Sequence, residues 1–200
     1  MAHPTKTPHL SPARLRALRS CGRALARAVQ GSGSAVALAV CTHNSRRSQL
    51  AQVYLALALA EAGVADVRVD SAGTEVTAVA SGIVGVLRER GFDVDGDYTV
   101  GNPRLAVRGH GLALELWSKT LDEALTATDG APVIAIMVCA AADDHCPYVP
   151  GAVYRARLPF DDPKRADHTP EAPAAYREAA EAIEAEMRVV AREAARAFSG

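Results

Sequence analysis

Residues 41–48, Cys-Thr-His-Asn-Ser-Arg-Arg-Ser, lie between two apolar runs and constrain the fold more than any other stretch of the chain. The run before them, residues 35–40, has the length and composition of a buried strand, and the run after them, residues 50–60, favours a helix. A strand that leads through a short loop into a helix is the repeating unit of a parallel α/β sheet. The sequence therefore predicts a loop at the carboxyl end of a strand, where such sheets bind their ligands.

Three side chains of this loop, Cys41, Arg47 and Ser48, have the chemistry of an oxyanion site. A loop that opens a helix directs backbone N–H groups inward, and the helix dipole favours negative charge there. The planar fork of Arg47 can bind two oxygens of phosphate or arsenate. Ser48 can donate a hydrogen bond to the Cys41 sulfur, which favours the nucleophilic thiolate. We predict a pocket for a tetrahedral oxyanion with Cys41 as nucleophile; the alternative is an ordinary strand-to-helix turn with a buried cysteine.

The remaining loop residues are predicted to contribute to the same oxyanion site: Thr42, His43, Asn44, Ser45 and Arg46. Asn44 tolerates left-handed backbone angles, which a tight loop around an anion needs. His43 and Arg46 are typical of solvated loop residues, although the charge of Arg46 also suits anion capture.

Periodicity along the rest of the chain alternates between strands and helices. Strands are predicted near 65–70, 133–138 and 153–158, helices near 46–62, 77–90, 119–127 and 171–198, and a β-hairpin over 104–117. The last helix has a predicted apolar face at Tyr176, Ala180, Ile183, Met187, Val190 and Ala194. This alternation predicts an α/β fold: a four-stranded parallel sheet with helices on both faces, an added hairpin and an N-terminal helix. Cys41, Ser71 and Cys139 each follow a predicted strand, so we expect them to meet at one edge of the sheet.

Residues 1–34 are predicted to form a basic helical extension with a linker, followed by one domain over residues 35–200. Leucines and valine recur at helical spacing between arginines, and Gly22 falls on the apolar stripe as a weak point of the helix. The Gly-Ser-Gly-Ser run at 31–34 is typical of a flexible joint. The helix is expected to dock on the domain or to extend from it; an arginine-rich, acid-free start also has some character of a transit peptide.

Charge is unevenly distributed, because residues 1–60 contain eight Lys or Arg and no Asp or Glu. A basic segment around the loop attracts small anions. Nucleic acid is not an expected partner, since aromatic residues make up only 4% of the chain and do not alternate with the scattered bases. No apolar run reaches the length of a membrane helix, so we expect no membrane partner. We also expect no metal and no cofactor.

The four cysteines are too few for a disulfide scaffold in a chain of 200 residues, and reactive thiols suggest a reducing, cytoplasmic compartment. Cys21 falls beside the apolar stripe of the first helix and is predicted to be buried. Cys139 and Cys146 are close enough in sequence for their sulfurs to meet, which suggests a thiol relay. The alternatives are two inert thiols, or half of a metal site with His145.

Asp161 and Asp162 precede Pro163 after the last predicted strand. A carboxylic acid near the loop can protonate a leaving oxygen, the general-acid role that phosphoryl or arsenyl transfer needs. The residue before a proline is held extended, which would aim Asp162 at the pocket. Asp-Pro is also a common turn signal, and a plain turn is the alternative.

Four stretches together resemble the low-molecular-weight protein tyrosine phosphatase superfamily, and in particular its thioredoxin-coupled arsenate reductases. These stretches are Cys41–Gln49, Ser71–Glu75, Cys139–Pro147 and Phe160–Pro163. The first and last are shared by phosphatases and reductases, whereas the Cys139 and Cys146 pair is similar to the reductase cassette. The resemblance implies the phosphatase I-like fold from residue 35 onward.

The resemblance also implies a mechanism. Cys41 attacks an anion held by Arg47, Asp162 protonates the leaving oxygen, and Asn44 and Ser71 help to shape the loop. In a reductase, Cys139 then attacks Cys41, arsenite leaves, and Cys146 passes the disulfide to a thioredoxin-like reductant. In a phosphatase, water instead releases phosphate, and the substrate is phosphotyrosine or another small phosphoester.

The chain departs from the family pattern at several positions. His43 stands where the family usually has Gly, Arg46 stands where it often has Cys, and Ala140 and Ala141 replace polar residues of the cassette. Few aromatic residues are available to grip a tyrosine ring, which favours arsenate reduction over phosphatase activity. A non-catalytic oxyanion-binding or redox-sensing module is the third possibility.

Overall fold

A parallel sheet of four strands forms the centre of the computed structural model, which describes residues 10–140 and 149–198. The strands are β1 (Ala35–Cys41), β2 (Val67–Gly73), β3 (Asp93–Asp95), β4 (Leu105–Gly109), β5 (Leu112–Leu116), β6 (Val133–Met137) and β7 (Ala152–Arg157). The helices are α1 (Pro12–Ser32), α2 (Arg47–Glu61), α3 (Ser81–Glu89), α4 (Leu121–Thr126) and α5 (Ala172–Phe198), with a 3₁₀ turn at Pro163–Ala166. The predicted α/β class and four-stranded parallel sheet are confirmed.

The parallel sheet has the order β2-β1-β6-β7. Every residue of β1 and of β6 is buried, as expected for central strands of a parallel sheet. The chain runs from β1 to β2 on one side and later returns to β6 on the other. The strand order therefore reverses at β1, and such a reversal opens a crevice at the carboxyl end of the strand.

Strand β2 ends three residues later than the sequence predicts. Instead of closing the strand, Ser71, Ala72 and Gly73 pair in parallel register with Ala39, Val40 and Cys41 of β1. The additional pairing carries β2 alongside the last residue of β1, so that its end lies next to the loop.

Helix α3 begins at Ser81 instead of near residue 77. The residues before it are held away from helical geometry by bonds to other parts of the chain. The Thr77 amide donates to Ser118 Oγ at 2.9 Å, and the Ala80 amide donates to the Ser45 carbonyl at 3.0 Å. Tertiary contacts to the loop therefore override the helical periodicity of this segment.

The predicted hairpin is present as β4 and β5, and a third strand, β3, extends it to a three-stranded antiparallel sheet. His110 and Gly111 both adopt positive φ, 52° and 79°, as a tight two-residue hairpin turn requires. Strand β3 was not predicted, because three residues are too few for a period-two pattern to be recognised.

Helix α1 docks on the body of the protein, where it packs against α5 and against β1, β6 and β7. Leu18, Leu25 and Val29 of its apolar stripe are buried, and Cys21 is completely inaccessible as predicted. Helix α5 buries its predicted apolar face, and α2 also packs against α5. No helix within the described ranges combines the length and the apolar character that crossing a membrane requires.

Two expectations for the N-terminal segment are wrong. Gly22 is a point of close packing instead of a weak point, since a Cβ atom there would lie 2.4 Å from the Val190 carbonyl oxygen of α5. Residues 31–34 are also not a flexible joint. Gly31 and Ser32 are the last residues of α1, and Gly33 ends the helix in the left-handed conformation, with φ of 79° and a hydrogen bond to the Val29 carbonyl.

Substitution of Gly22 by Ala is expected to destabilise the protein. Alanine adds about 1 kcal/mol of helix propensity, but overpacking against a backbone oxygen costs about 1–3 kcal/mol, so we expect a net loss of up to about 2 kcal/mol in the free energy of unfolding. Urea denaturation measures it. Gly31→Ala is the matched control, because nothing lies within 4 Å of the position that its new methyl group would take. Equal stability of the two variants would contradict the packing role of Gly22.

Candidate active site

The carboxyl ends of β1, β6 and β7 bring the predicted site residues to one edge of the sheet. Backbone bonds continue past the strands themselves: the Val138 amide donates to the Val40 carbonyl at 2.9 Å, and the Phe160 amide donates to the Val138 carbonyl at 3.0 Å. The segments that carry Cys139 and Asp162 are thus placed in order beside the loop that begins at Cys41.

Four consecutive carbonyl groups of the loop are turned outward to donors on surrounding elements. The Thr42 carbonyl accepts from the Glu75 amide and the His43 carbonyl accepts from Ser118 Oγ, at 2.8 and 2.9 Å. The Asn44 carbonyl accepts from Gln49 Nε2 at 2.7 Å. The Ser45 carbonyl accepts from the Ala80 amide at 3.0 Å. The loop is therefore braced from outside by α2, by the segment between β2 and α3, and by the segment between β5 and α4.

The amide groups of the same loop are left available. None of the backbone N–H groups of residues 42–47 donates to a residue that the structure describes. Asn44 adopts the predicted left-handed conformation, with φ of 46°, which folds the loop tightly. Successive free amides in a tight loop at the start of a helix form a concave donor surface that binds anions. Sulfate, phosphate and arsenate have the charge and the acceptor oxygens for such a surface.

A short relay of hydrogen bonds ends at the Cys41 sulfur. The Lys119 amide donates to Asn44 Oδ1 at 2.9 Å, which orients the side-chain amide so that Asn44 Nδ2 donates to Ser48 Oγ at 2.8 Å. Ser48 Oγ lies 3.1 Å from Cys41 Sγ. The Ser48 oxygen accepts from Asn44, and its own hydrogen is free to donate to the Cys41 sulfur, as a nucleophilic sulfur would require.

Arg47, the first residue of α2, contacts the segment that follows β7. Its Nη1 donates to the Phe160 carbonyl at 3.1 Å, and its Nη2 lies 2.5 Å from Asp162 Oδ2. Its Nε is buried and has no hydrogen-bond partner among the described residues. A buried guanidinium donor without an acceptor is costly, and an oxyanion in the adjacent loop would supply one.

Asp162 is held by a second contact, in which its Oδ1 accepts from the Lys164 amide at 3.0 Å and caps the 3₁₀ turn. Asp162 therefore begins the predicted turn and also lies beside the loop. Asp161, its neighbour, is exposed. The Asp162 side chain keeps about a third of its surface accessible, so a substrate can reach it.

Arg46 makes contacts away from the loop interior. Its Nε donates to the Tyr176 hydroxyl at 2.7 Å and its Nη2 to Asp167 Oδ2 at 2.5 Å, while the Tyr176 hydroxyl donates to Asp167 Oδ1 at 2.8 Å. Burial raises the pKa of Tyr176, which keeps this hydroxyl protonated as a donor. Arg46 therefore ties the loop to α5 instead of standing free in solvent.

The other loop side chains have different surroundings. His43 is half-exposed and its Nε2 lies 3.3 Å from Glu75 Oε2. Ser45 is buried.

Thr42 Oγ1 lies 3.6 Å from the sulfur of Cys139, which is itself 1% exposed. The predicted second thiol is thus in contact with the residue that follows the predicted nucleophile. Cys146 and His145 lie outside the described residues.

Comparison with known proteins agrees with this geometry. Residues 36–197 match the family model described as low molecular weight phosphotyrosine protein phosphatase. The chain belongs to this phosphatase family. The family is enzymatic, and its members act on phosphate-type oxyanions. No curated protein matches the chain.

Two solved structures with TM-scores of 0.50 and 0.51 share the fold of this family member. A low molecular weight protein tyrosine phosphatase from Bacillus subtilis is 16% identical with a TM-score of 0.51, and the match covers 79% of this chain and 95% of that one. A mutant of YwlE from the same organism is 18% identical with a TM-score of 0.50, over 79% and 97%. A thioredoxin-dependent arsenate reductase from Corynebacterium glutamicum is 25% identical with a TM-score of 0.42, over 86% and 66%.

Ser71 of this family member supports the helix behind the loop. It is completely buried, and its hydroxyl donates to Gln52 Oε1 of α2 at 2.7 Å. Gln52 Nε2 in turn donates to the Glu115 carbonyl at 3.3 Å. Ser71 thus fastens α2 to β2 one turn beyond the loop.

Two residues of the candidate site were not singled out from the sequence. A Cβ atom on Gly73 would lie 2.7 Å from the Asn44 amide nitrogen and the Thr42 carbonyl oxygen, so only glycine lets β2 approach the loop. Lys119 is buried, with its Nζ 2.9 Å from Asp70 Oδ1 and 3.7 Å from the Trp117 ring centroid. Burial lowers the pKa of Lys119, an effect that the charge of Asp70 opposes. The Ser-Ala-Gly-Thr-Glu stretch carried a signal for Gly73; Lys119 had none.

Alkylation of the phosphatase-family protein by iodoacetate, an anionic reagent, is expected to label Cys41 and to spare Cys21 near neutral pH. Burial raises the pKa of Cys21 to about 12, so this residue stays a thiol until the pH approaches that value. Cys41 lies in the candidate anion-binding loop, so phosphate is expected to protect it from the reagent. Peptide mass spectrometry measures the labelling of each cysteine. Rapid labelling of Cys21, or labelling of Cys41 that phosphate does not slow, would contradict the assignment.

Proposed function

We propose that the protein is an arsenate reductase that converts arsenate to arsenite with Cys41 as nucleophile and with Cys139 and Cys146 as a thiol relay. The observation that carries the proposal is the contact of 3.6 Å between Cys139 Sγ and Thr42 Oγ1, next to Cys41. Hydrolysis of a phosphoester needs no second thiol at the nucleophile loop, whereas reduction of arsenic does.

In the first step, the loop binds arsenate through the backbone N–H groups of residues 42–47. Arg47 adds its Nε, which has no partner among the described residues. Thr42, His43, Asn44, Ser45 and Arg46 supply backbone donors to the oxyanion, and Ser48 supports the sulfur. The Cys41 thiolate attacks arsenic(V), forming an As–S bond. The As–O bond to one oxygen breaks, and Asp162 protonates this oxygen so that it leaves as water.

In the second step, the Cys139 thiolate attacks the sulfur of Cys41. The S–As bond breaks and its electron pair stays with arsenic, which becomes arsenic(III) and leaves as arsenite. The two sulfurs lose the two electrons that arsenic gains, and a Cys41–Cys139 disulfide forms.

The cycle closes when the Cys146 thiolate attacks Cys139 and releases Cys41. A thioredoxin-like dithiol partner then reduces the Cys139–Cys146 disulfide and becomes oxidised in its turn. The reaction needs no metal and no cofactor. A relay of this kind requires a reducing compartment, which supports a cytoplasmic location.

A low-molecular-weight protein tyrosine phosphatase is the second candidate, favoured by the family model that matches residues 36–197. Its first step is the same attack by Cys41, on the phosphorus of phosphotyrosine or a small phosphomonoester. Water then hydrolyses the phosphocysteine intermediate, and Cys139 takes no part.

Replacement of single thiols separates the two functions. Cys41→Ser is expected to abolish both arsenate reduction and hydrolysis of para-nitrophenyl phosphate, because the nucleophile is lost. Cys139→Ser is expected to lower arsenate reduction at least about 100-fold and to spare hydrolysis, because the relay alone is broken. Parallel assays measure both, with arsenate, thioredoxin and its reductase in one and the aryl phosphate in the other.

Cys21→Ala is the control, since this buried residue lies on α1 and should leave both rates close to those of the parent. Persistent arsenate reduction in Cys139→Ser would refute the relay. Hydrolysis by the parent protein without any arsenate reduction would favour the phosphatase.

Asp162→Asn is expected to slow hydrolysis of an aryl phosphate by about 10²–10⁴-fold in kcat with little change in KM, because the amide keeps the shape of the side chain but cannot donate an acidic proton. Asp161→Asn is the matched control one residue away. An unaffected kcat in Asp162→Asn together with a loss in Asp161→Asn would reassign the acid to Asp161.

A further inference from the structure

Arg14, in the first turn of α1, reaches the segment that leads to Asp162. Its Nη2 donates to the Pro159 carbonyl at 3.0 Å, and its guanidinium carbon lies 4.9 Å from the centroid of the Phe160 ring. The same guanidinium donates from Nε to both carboxylate oxygens of Glu186 on α5, at 3.0 and 2.9 Å. One planar group thus joins two helices to the segment after β7.

This segment is held between two arginines. Arg14 binds the Pro159 carbonyl and stacks on Phe160, while Arg47 binds the Phe160 carbonyl and the Asp162 carboxylate. Because the backbone between Pro159 and Asp162 is short, a shift at Pro159 is transmitted to the carboxylate that faces Arg47.

Packing on the α1 side of the segment is incomplete. A cavity of about 400 Å³ lies between α1, α5 and the segment, and its lining includes Arg14, Asp162, Arg165 and Glu186. Polar contacts therefore take the place of a continuous apolar contact there. The bond from the Phe160 amide to the Val138 carbonyl still anchors the other side, so loss of Arg14 would displace the segment without freeing it.

We propose that Arg14 is a positioning residue that holds Asp162 in register with the oxyanion loop, so that the N-terminal helix contributes to the rate of the chemical step. The inference depends on the proposed role of Asp162 as general acid. Arg14 acts through Pro159 and Phe160 and does not itself contact the substrate.

A direct substitution must avoid leaving the buried Glu186 carboxylate without its partner, since a lone buried charge destabilises a fold strongly. The test therefore uses the paired variant Arg14→Met with Glu186→Gln. Its control is Arg23→Met with Glu193→Gln, which removes the ion pair of 2.6 Å between the same two helices at a point that does not contact the segment.

The dependence of the rate on the leaving group distinguishes positioning from a general loss of structure. Phenyl phosphate has a poor leaving group that needs protonation, whereas dinitrophenyl phosphate has a good one that does not. We expect the Arg14 pair to lower kcat about 10-fold for phenyl phosphate and less than about 2-fold for dinitrophenyl phosphate, with KM unchanged. The Arg23 pair should match the parent on both substrates.

Asp162→Asn, measured on the same substrates, separates the failure of this inference from that of the proposed function. Suppose that Asp162→Asn shows the leaving-group dependence. If the Arg14 pair then lowers kcat equally for both substrates, or matches the control, the positioning role is wrong and the acid assignment stands. If Asp162→Asn shows no such dependence, the acid assignment and the positioning role both fail. Should the paired variant not fold, Arg14→Lys, which keeps the charge but not the fork, is expected to show a smaller loss of about 3-fold confined to phenyl phosphate.

Discussion

The outward bonding of four loop carbonyls is the constraint on which the site depends. Each carbonyl from Thr42 to Ser45 accepts from a donor on α2, on the segment between β2 and α3, or on the segment before α4. In a trans peptide group the N–H points away from the C=O, so each oxygen held outward directs the N–H of the following residue inward. The loop thus presents a surface of amide donors of the kind that binds anions. Gly73 makes this possible, because a side chain there would push β2 away from the loop. The preorganised donors need no rearrangement when charge develops, which is what electrostatic stabilisation of a charged transition state requires.

Three arginines have separate roles around this loop. Arg47 directs its two terminal nitrogens to the Phe160 carbonyl and the Asp162 carboxylate. Arg46, its neighbour in sequence, instead binds Asp167 after the 3₁₀ turn and Tyr176 of α5. Arg14 reaches the Asp162 segment from a helix outside the family match, which begins at residue 36. Adjacent positions at the start of a helix project in different directions, so the guanidinium groups of two consecutive arginines do not reach the same side of the loop.

The sequence was sufficient for the elements that depend on local pattern. The spacing of Cys41, Arg47 and Ser48 between a strand and a helix predicted the loop, and the periodicity of residues 171–198 predicted α5 and its buried face. It failed where distant contacts decide the outcome. Gly22 has the low helix propensity that suggested a weak point, yet it is needed because Val190 of α5 crosses there. Residues 77–80 have helical periodicity, yet bonds to Ser118 and Ser45 keep them out of the helix.

What the sequence determined by itself is the chemistry available to the protein: a cysteine, an arginine and a hydroxyl in one turn, a second thiol, and a carboxylate before a proline. The loop residues follow from local sequence, because a strand-to-helix turn brings residues that are six or seven positions apart, such as Cys41, Arg47 and Ser48, to the same loop. Only the tertiary structure decided which of these groups meet. The parallel pairing of β1, β6 and β7 puts Cys139 against Thr42 and Asp162 against Arg47. Those neighbours are about one hundred residues apart in the chain, and their contact follows from strand order and register, which no local pattern specifies.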